Sequence, residues 1–191
     1  MINVLFIGPQ GSGKGTQAKR LAAARGIPHI ATGDIFRAAI AEQTELGRQV
    51  QPYLDSGSLV PDELTIGLIS ERLQQPDTAA GFVLDGFPRT MAQAHALDEM
   101  LVRIGRPLSV VFAFGLSDGL ALERCLGRAI EEGRPDDTAQ VIVKRLTIYR
   151  EQTEPIVGHY RAAGILVVIR AERSIDEVDA DLAGALQQAV A

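Results

Sequence analysis

The stretch Gly8-Pro9-Gln10-Gly11-Ser12-Gly13-Lys14-Gly15-Thr16 sets one lysine among glycines, between an apolar run and a helix-forming run. Glycines let backbone N–H groups converge on phosphate oxygens without side-chain obstruction. A helix start adds partial positive charge, and Lys14 adds a full one. The general phosphate-loop pattern has Ser or Thr directly after the lysine, whereas here Gly15 intervenes before Thr16. The plain alternative is a glycine-rich turn with a solvated lysine, and the strand–loop–helix context favours the phosphate site. Arg89 is a second signal. It follows Pro88 just after an apolar run, where a long cation has no packing use. In isolation Arg37, Arg134 and Arg145 read as solvated helix-face charges paired with Asp34, Asp136 and Asp137. Asp85 reads equally as a strand-end turn residue or a functional carboxylate, Thr32 as the cap of a helix beginning near Asp34, and Gln93 as a surface helix residue. His29, His95 and His159 are scattered, and Cys125 reads as a small, partly buried thiol. No nucleophile–base pair stands out.

The elements that must position these residues follow from periodicity. Asn3–Ile7, Pro28–Ala31, Gly81–Leu84, Ser109–Phe114 and Ile165–Ile169 are short apolar runs without alternation, the pattern of strands buried on both faces. Helical patterns lie between them, among them Lys14–Ala24, Leu64–Gln74, Met91–Ile104, Leu120–Glu131 and Ala139–Arg150. Gly26 and Gly105 are stop signals, and Ser117 is an N-cap. This alternation predicts an α/β fold, a doubly wound five-stranded parallel sheet with helices on both faces. Two excursions break it. Thr32–Val60 holds two short helical patterns, and the chain from Arg128 to Asp137 breaks between helices. Ligands in such folds bind beyond the carboxyl ends of strands, so both excursions are placed to overhang the site.

The whole chain sets the limits. Its 191 residues suit one domain with small insertions, and a net charge of −5 opposes general nucleic-acid binding. One cysteine excludes a disulfide framework or a multi-cysteine metal site. Met1–Ile7 lacks a basic leader, and no apolar run approaches the ~18 residues of a membrane span. A cytoplasmic protein is expected.

Four ordered motifs together resemble the adenylate kinase family. They are Gly13-Lys14-Gly15-Thr16-Gln17-Ala18, Ala31 to Arg37, Asp85-Gly86-Phe87-Pro88-Arg89-Thr90 with Gln93, and the set Arg124, Arg128, Arg134, Asp136, Asp137 and Arg145. The resemblance implies reversible phosphoryl transfer from ATP to AMP, giving two ADP. It implies that Gly11, Ser12, Gly13, Lys14, Gly15, Thr16, Arg124, Arg128 and Arg173 bind ATP. Thr32, Arg37, Ser58, Leu59, Val60, Gly86, Phe87, Pro88, Arg89, Gln93, Arg134 and Arg145 would bind AMP. Lys14, Arg89, Arg124, Arg134 and Arg145 would be catalytic, and Asp85 and Thr16 would stand nearest Mg²⁺. Residues 31–60 would form the monophosphate-binding region, and residues 127–137 a short lid with hinge freedom at Gly127 and Gly133. Zinc, common in long-lid relatives, is not expected. A monomer is expected, without nucleic-acid or membrane partners.

The sequence departs from the family pattern at Gln10, where a proline is common, at Ser58, where a basic residue is frequent, and at the 170–173 turn, which lacks a glycine. A UMP or CMP kinase is the near rival, but Thr32, Thr90 and Gln93 are of the adenine type. A GTP-dependent switch would need an Asn-Lys-x-Asp segment, and Asn3 is the sole asparagine. An inactive binding module on the same fold is the third alternative, and the arginine set argues against it.

Overall fold

A computed structural model describes residues 1–131, 133 and 136–189. Five strands form one parallel sheet: β1 (Ile2–Ile7), β2 (His29–Ala31), β3 (Gly81–Asp85), β4 (Val110–Gly115) and β5 (Leu166–Arg170), in the order β2-β3-β1-β4-β5. All five predicted strands are present, each within two residues of its expected limits.

The lack of alternation in the strands has the expected cause. In β1, Val4 and Phe6 point into a cluster completed by α1 (Lys14–Arg25) and the final helix α9 (Ile175–Ala189). Leu5 and Ile7 point to the other face, against α4 (Asp62–Leu73), α5 (Met91–Arg103) and α8 (Glu154–Ala162). Both faces are therefore covered, and successive residues are apolar. Phe6 packs on Phe112 with centroids 5.6 Å apart and near-perpendicular rings, a favoured aromatic geometry.

The first excursion is a helical pair, α2 (Thr32–Ala41) and α3 (Glu45–Ser56), with its own small core of Phe36, Val50 and Val60. Thr44 caps α3 by accepting from the Gly47 N–H. The second lies between α6 (Asp118–Glu131) and α7 (Ala139–Ile148). Two expectations need correction. Thr32 does not cap a helix near Asp34: α2 begins at Thr32 itself, and its hydroxyl donates to Gly86 O instead. The helical run does not end at Arg150 either. A π-helical segment, Tyr149–Thr153, leads from α7 directly into α8. Gly26 and Gly105 end their helices with positive φ, as the stop signals predict.

Candidate active site

Strand register assembles the site. In the parallel pairings Phe6 lies opposite Asp85, and Ala31 lies opposite Asp85 from the other side. The three segments leaving these strands are thus neighbours: the glycine loop after β1, the start of α2 after β2, and the turn 86–90 after β3. A cleft of about 410 Å³ opens beyond their carboxyl ends, within the size range of nucleotide and cofactor sites.

On one wall, Gly11 to Thr16 run into the first turn of α1. Gly11 has φ 78, and a Cβ there would lie 2.6 Å from Ala121 O, so backbone contact with α6 requires glycine. Lys14 is folded onto its own loop, donating to Gly8 O and Pro9 O at 2.7 Å and to Ser12 Oγ at 3.2 Å. Burial lowers its pKa to about 8, Asp85 works against that drop, and Arg89 and Arg128 add to it. Burial alone would raise the Asp85 carboxyl, yet the His29 ring beside it and the Lys14 and Arg89 charges hold it below the ordinary range. His29 Nε2 stands 3.7 Å from Asp85 Oδ2.

The opposite wall is the 86–93 segment with α2 and the chain after α3. Arg89 Nε donates to Gly86 O at 2.8 Å, and the same carbonyl accepts from Thr32 Oγ1 at 2.8 Å. Burial pulls the Arg89 pKa down, Asp85 opposes this, and Arg145 and Arg37 reinforce it. The π-helical segment supports this turn, since Thr153 Oγ1 donates to Arg89 O at 2.8 Å. Arg37 lines the cleft and pairs with Asp34 at 2.5 Å, while Ser58, Leu59, Val60, Gly86, Pro88 and Gln93 complete the wall.

A third side comes from α6 and α7. Arg124, Arg128 and Arg145 all reach the cleft. Arg145 bonds both Asp136 (2.7 Å) and Asp137 (2.6 Å), and Arg128 bonds Asp137 at 2.5 Å. The carboxylates are almost fully buried and hold the guanidiniums at the cleft edge, where Asp136 also lines the wall. α7 also reaches the α2–α3 unit: Arg145 donates to Leu54 O, and Lys144 donates to Ser56 O and Ser58 Oγ, both at 2.8 Å.

Not every predicted residue is on this wall. The Phe87 side chain is buried in the core cluster on one face of the sheet and is not on the cleft wall. Arg173 lies in a second recess of about 390 Å³ behind the glycine loop, where Arg124 also appears, and it pairs with Glu177 and Asp181. Arg134 falls outside the described residues. Gly133 has φ 61, and Gly127 lies inside α6 with open space where a Cβ would project. Asp62, Lys144 and Thr153 were not singled out from sequence. Lys144 carried a weak signal, its place beside Arg145. Asp62 and Thr153 carried none.

Among the described residues no three His, Cys, Asp or Glu side chains form a group able to hold a metal ion. No described helix is long and apolar enough to cross a membrane.

Comparison with known proteins identifies the family. The sequence model described as adenylate kinase matches residues 6–165. An adenylate kinase of Cyanothece is 50% identical over 182 residues, covering 95% of this chain and 93% of its own length. That of Kocuria rhizophila is 48% identical, covering 98% of this chain and 100% of its own. That of Stenotrophomonas maltophilia is 45% identical, with 97% and 100% covered. A family model matching residues 6–165 and relatives 45–50% identical over nearly the whole of both chains lead to one conclusion: this protein belongs to the adenylate kinase family.

Proposed function

We propose that the chain catalyses reversible transfer of the terminal phosphoryl group of ATP to AMP, giving two ADP. The observation that carries this reading is the cleft on which Lys14, Arg89, Arg128 and Arg145 converge from separate elements. An ATP phosphate chain resting on Gly11–Thr16 and an AMP phosphate resting on Arg37 and Arg89 would meet between them.

The chemistry needs little more. The acceptor is a phosphate oxygen already ionised near neutral pH, so no general base is required. What opposes reaction is repulsion between two polyanions and the charge spreading over the group in flight. Guanidiniums remain ionised and grip phosphate bidentately, so Arg124, Arg128 and Arg145, with Arg134 by resemblance, suit that task. On the scale of an oxyanion-hole donor, each such group is worth about 2.7–4 kcal/mol in the transition state. Pre-orientation by Asp136 and Asp137 lowers the cost of arranging them.

On the acceptor side, Thr32 and Gln93 would face adenine, with Ser58 to Val60 and the 86–88 backbone lining its pocket. The second recess, with Arg124 and Arg173, suits the adenosine of ATP. Mg²⁺ is the expected cation. Asp85 and Thr16 both line the cleft, and one carboxylate and one hydroxyl, with no metal-holding group of three His, Cys, Asp or Glu side chains among the described residues, fit an ion that arrives on the ATP phosphates and keeps most of its water. When bound it would neutralise phosphate charge. Regions 31–60 and 127–137 would close over the nucleotides and keep out water, the competing acceptor. A cytoplasmic monomer is the expected state.

The test is an acceptor panel of AMP, UMP, CMP and GMP with ATP, run on wild type and Arg89→Ala. AMP-dependent ADP formation in wild type, lost in the variant with ATP binding retained, is expected. Preference for UMP or CMP would overturn the reading.

A further inference from the structure

We infer that Asp62 is a specificity-determining positioning residue, which locks the Gln93 amide in the one orientation that reads adenine. The inference rests on the proposed role of Gln93 against the AMP base.

Gln93 is 2% exposed, at the first turn of α5 on the cleft wall. Its Oε1 accepts from the Arg89 backbone N–H at 2.7 Å, and its Nε2 donates to Asp62 Oδ1 at 2.7 Å. An amide carries an acceptor at one end and donors at the other, so the two ends can exchange by a flip of the side chain. Here neither neighbour tolerates exchange. A backbone N–H only donates and a carboxylate only accepts, so a flipped amide would set donor against donor and acceptor against acceptor. Asp62 is itself held, because its Oδ2 accepts from Thr90 Oγ1 at 3.0 Å. Thr90 also caps α5 by accepting from Gln93 N. Asp62 is not on the cleft wall, so it acts through Gln93 rather than on the substrate.

The locked amide uses one position at each end and keeps one N–H and one oxygen lone pair for a ligand. Adenine presents an acceptor at N1 and a donor at its 6-amino group, which that pair complements. Hypoxanthine reverses both, with a donor at N1 and an acceptor at O6. When Arg37 and Arg89 fix the phosphate, the base meets the amide in one register, and the orientation chosen by Asp62 and the Arg89 N–H decides between them. A site built to pair a polar edge rejects its reverse because buried partners are left unpaired.

The experiment measures kcat/KM for AMP and for inosine monophosphate, with ATP as donor. It uses wild type, Asp62→Asn, Asp62→Glu, Gln93→Ala, and Gln93→Ala combined with Asp62→Asn. The amide introduced by Asp62→Asn can offer either a donor or an acceptor, so one of the two locks is lost. The AMP-to-inosine-monophosphate ratio is expected to fall about tenfold in Asp62→Asn, the worth of one charge-assisted hydrogen bond. Asp62→Glu, which keeps an acceptor-only group, is expected to recover most of that ratio. In the Gln93→Ala background the Asp62 change should leave the ratio where Gln93→Ala alone puts it. An Asp62→Asn enzyme that loses activity equally towards both acceptors has only a structural defect, and the inference is overturned. A ratio that Asp62→Asn leaves intact while Gln93→Ala collapses it overturns the lock and spares the base reading. A ratio that Gln93→Ala leaves intact overturns both.

Discussion

Lys14 is held against its electrostatic preference, and replacing it with methionine should make the nucleotide-free protein more stable while removing its activity. A fall in pKa from 10.5 to about 8, at about 1.4 kcal/mol per pH unit, places about 3 kcal/mol of unfavourable free energy on the charged ammonium at pH 7. Methionine is of similar length and carries no charge. It forfeits the bonds to Gly8 O, Pro9 O and Ser12 Oγ, but Gly8 and Ser12 line the cleft, where water replaces the donor, and Pro9 O keeps the Ser12 N–H at 3.3 Å, a loss of about 1 kcal/mol. The net gain of about 2 kcal/mol corresponds to a Tm increase of about 4–8 °C for a chain of this size. The sign of the pH dependence is specific. Between pH 8 and 10.5 the unfolded lysine still binds its proton and the folded one does not, so wild-type stability rises across that window. Below pH 8 both states hold the proton, and the penalty stays at its full value. The gap between Lys14→Met and wild type, read by scanning calorimetry without nucleotide at pH 7, 8, 9 and 10, should therefore shrink as pH rises. Groups common to both proteins cancel in the difference. Saturating ATP should reverse the order, because phosphates repay the ammonium in wild type alone. A methionine variant less stable at pH 7, or a gap that widens with pH, refutes the reasoning.

Other outcomes follow from the same geometry. Gly86→Ala demands a left-handed alanine (φ 79) whose Cβ would lie 2.8 Å from Thr32 Oγ1 and 3.0 Å from Arg89 Nη2. It should raise the KM for AMP about fivefold or more with ATP binding retained, by calorimetric titration, given about 1–3 kcal/mol of local strain. Asp137→Ala removes from Arg128 and Arg145 a shared carboxylate that is 1% exposed. Urea unfolding should show a loss of about 3–5 kcal/mol, the usual result of breaking a buried pair from one side. Lys144→Ala removes the bonds to Ser56 O and Ser58 Oγ. Steady-state kinetics should show a KM for AMP raised about threefold to tenfold and a KM for ATP unchanged, the effect of about 1 kcal/mol on one substrate.

Which features were legible in the sequence depends on how far their causes reach along the chain. The glycine loop and its lysine are a local arrangement, and the apolar strands beside them are a local pattern, so both could be read before any contact was known. Arg89 was legible for a related reason, since a cation just past a buried strand has no use in packing. Thr32 was not. Its hydroxyl could serve its own helix or a carbonyl 54 residues away, and only the Ala31–Asp85 register brings Gly86 close enough to win. The π-helical segment was hidden because it preserves the apolar face from α7 into α8, and periodicity alone does not reveal one extra residue in a turn. Asp62 was the least visible. In sequence it is an acidic residue in the first turn of a helix, a position that the helix dipole alone explains. Its second use arises only where α4 lies against α5 and a carboxylate meets an amide 31 residues further on. The groups proposed to touch phosphate are thus written in short motifs, because phosphate is bound by backbone and cations at fixed local spacing. The groups proposed to choose the base are set by packing between distant helices, and on that reading specificity is the property the fold adds to the motif.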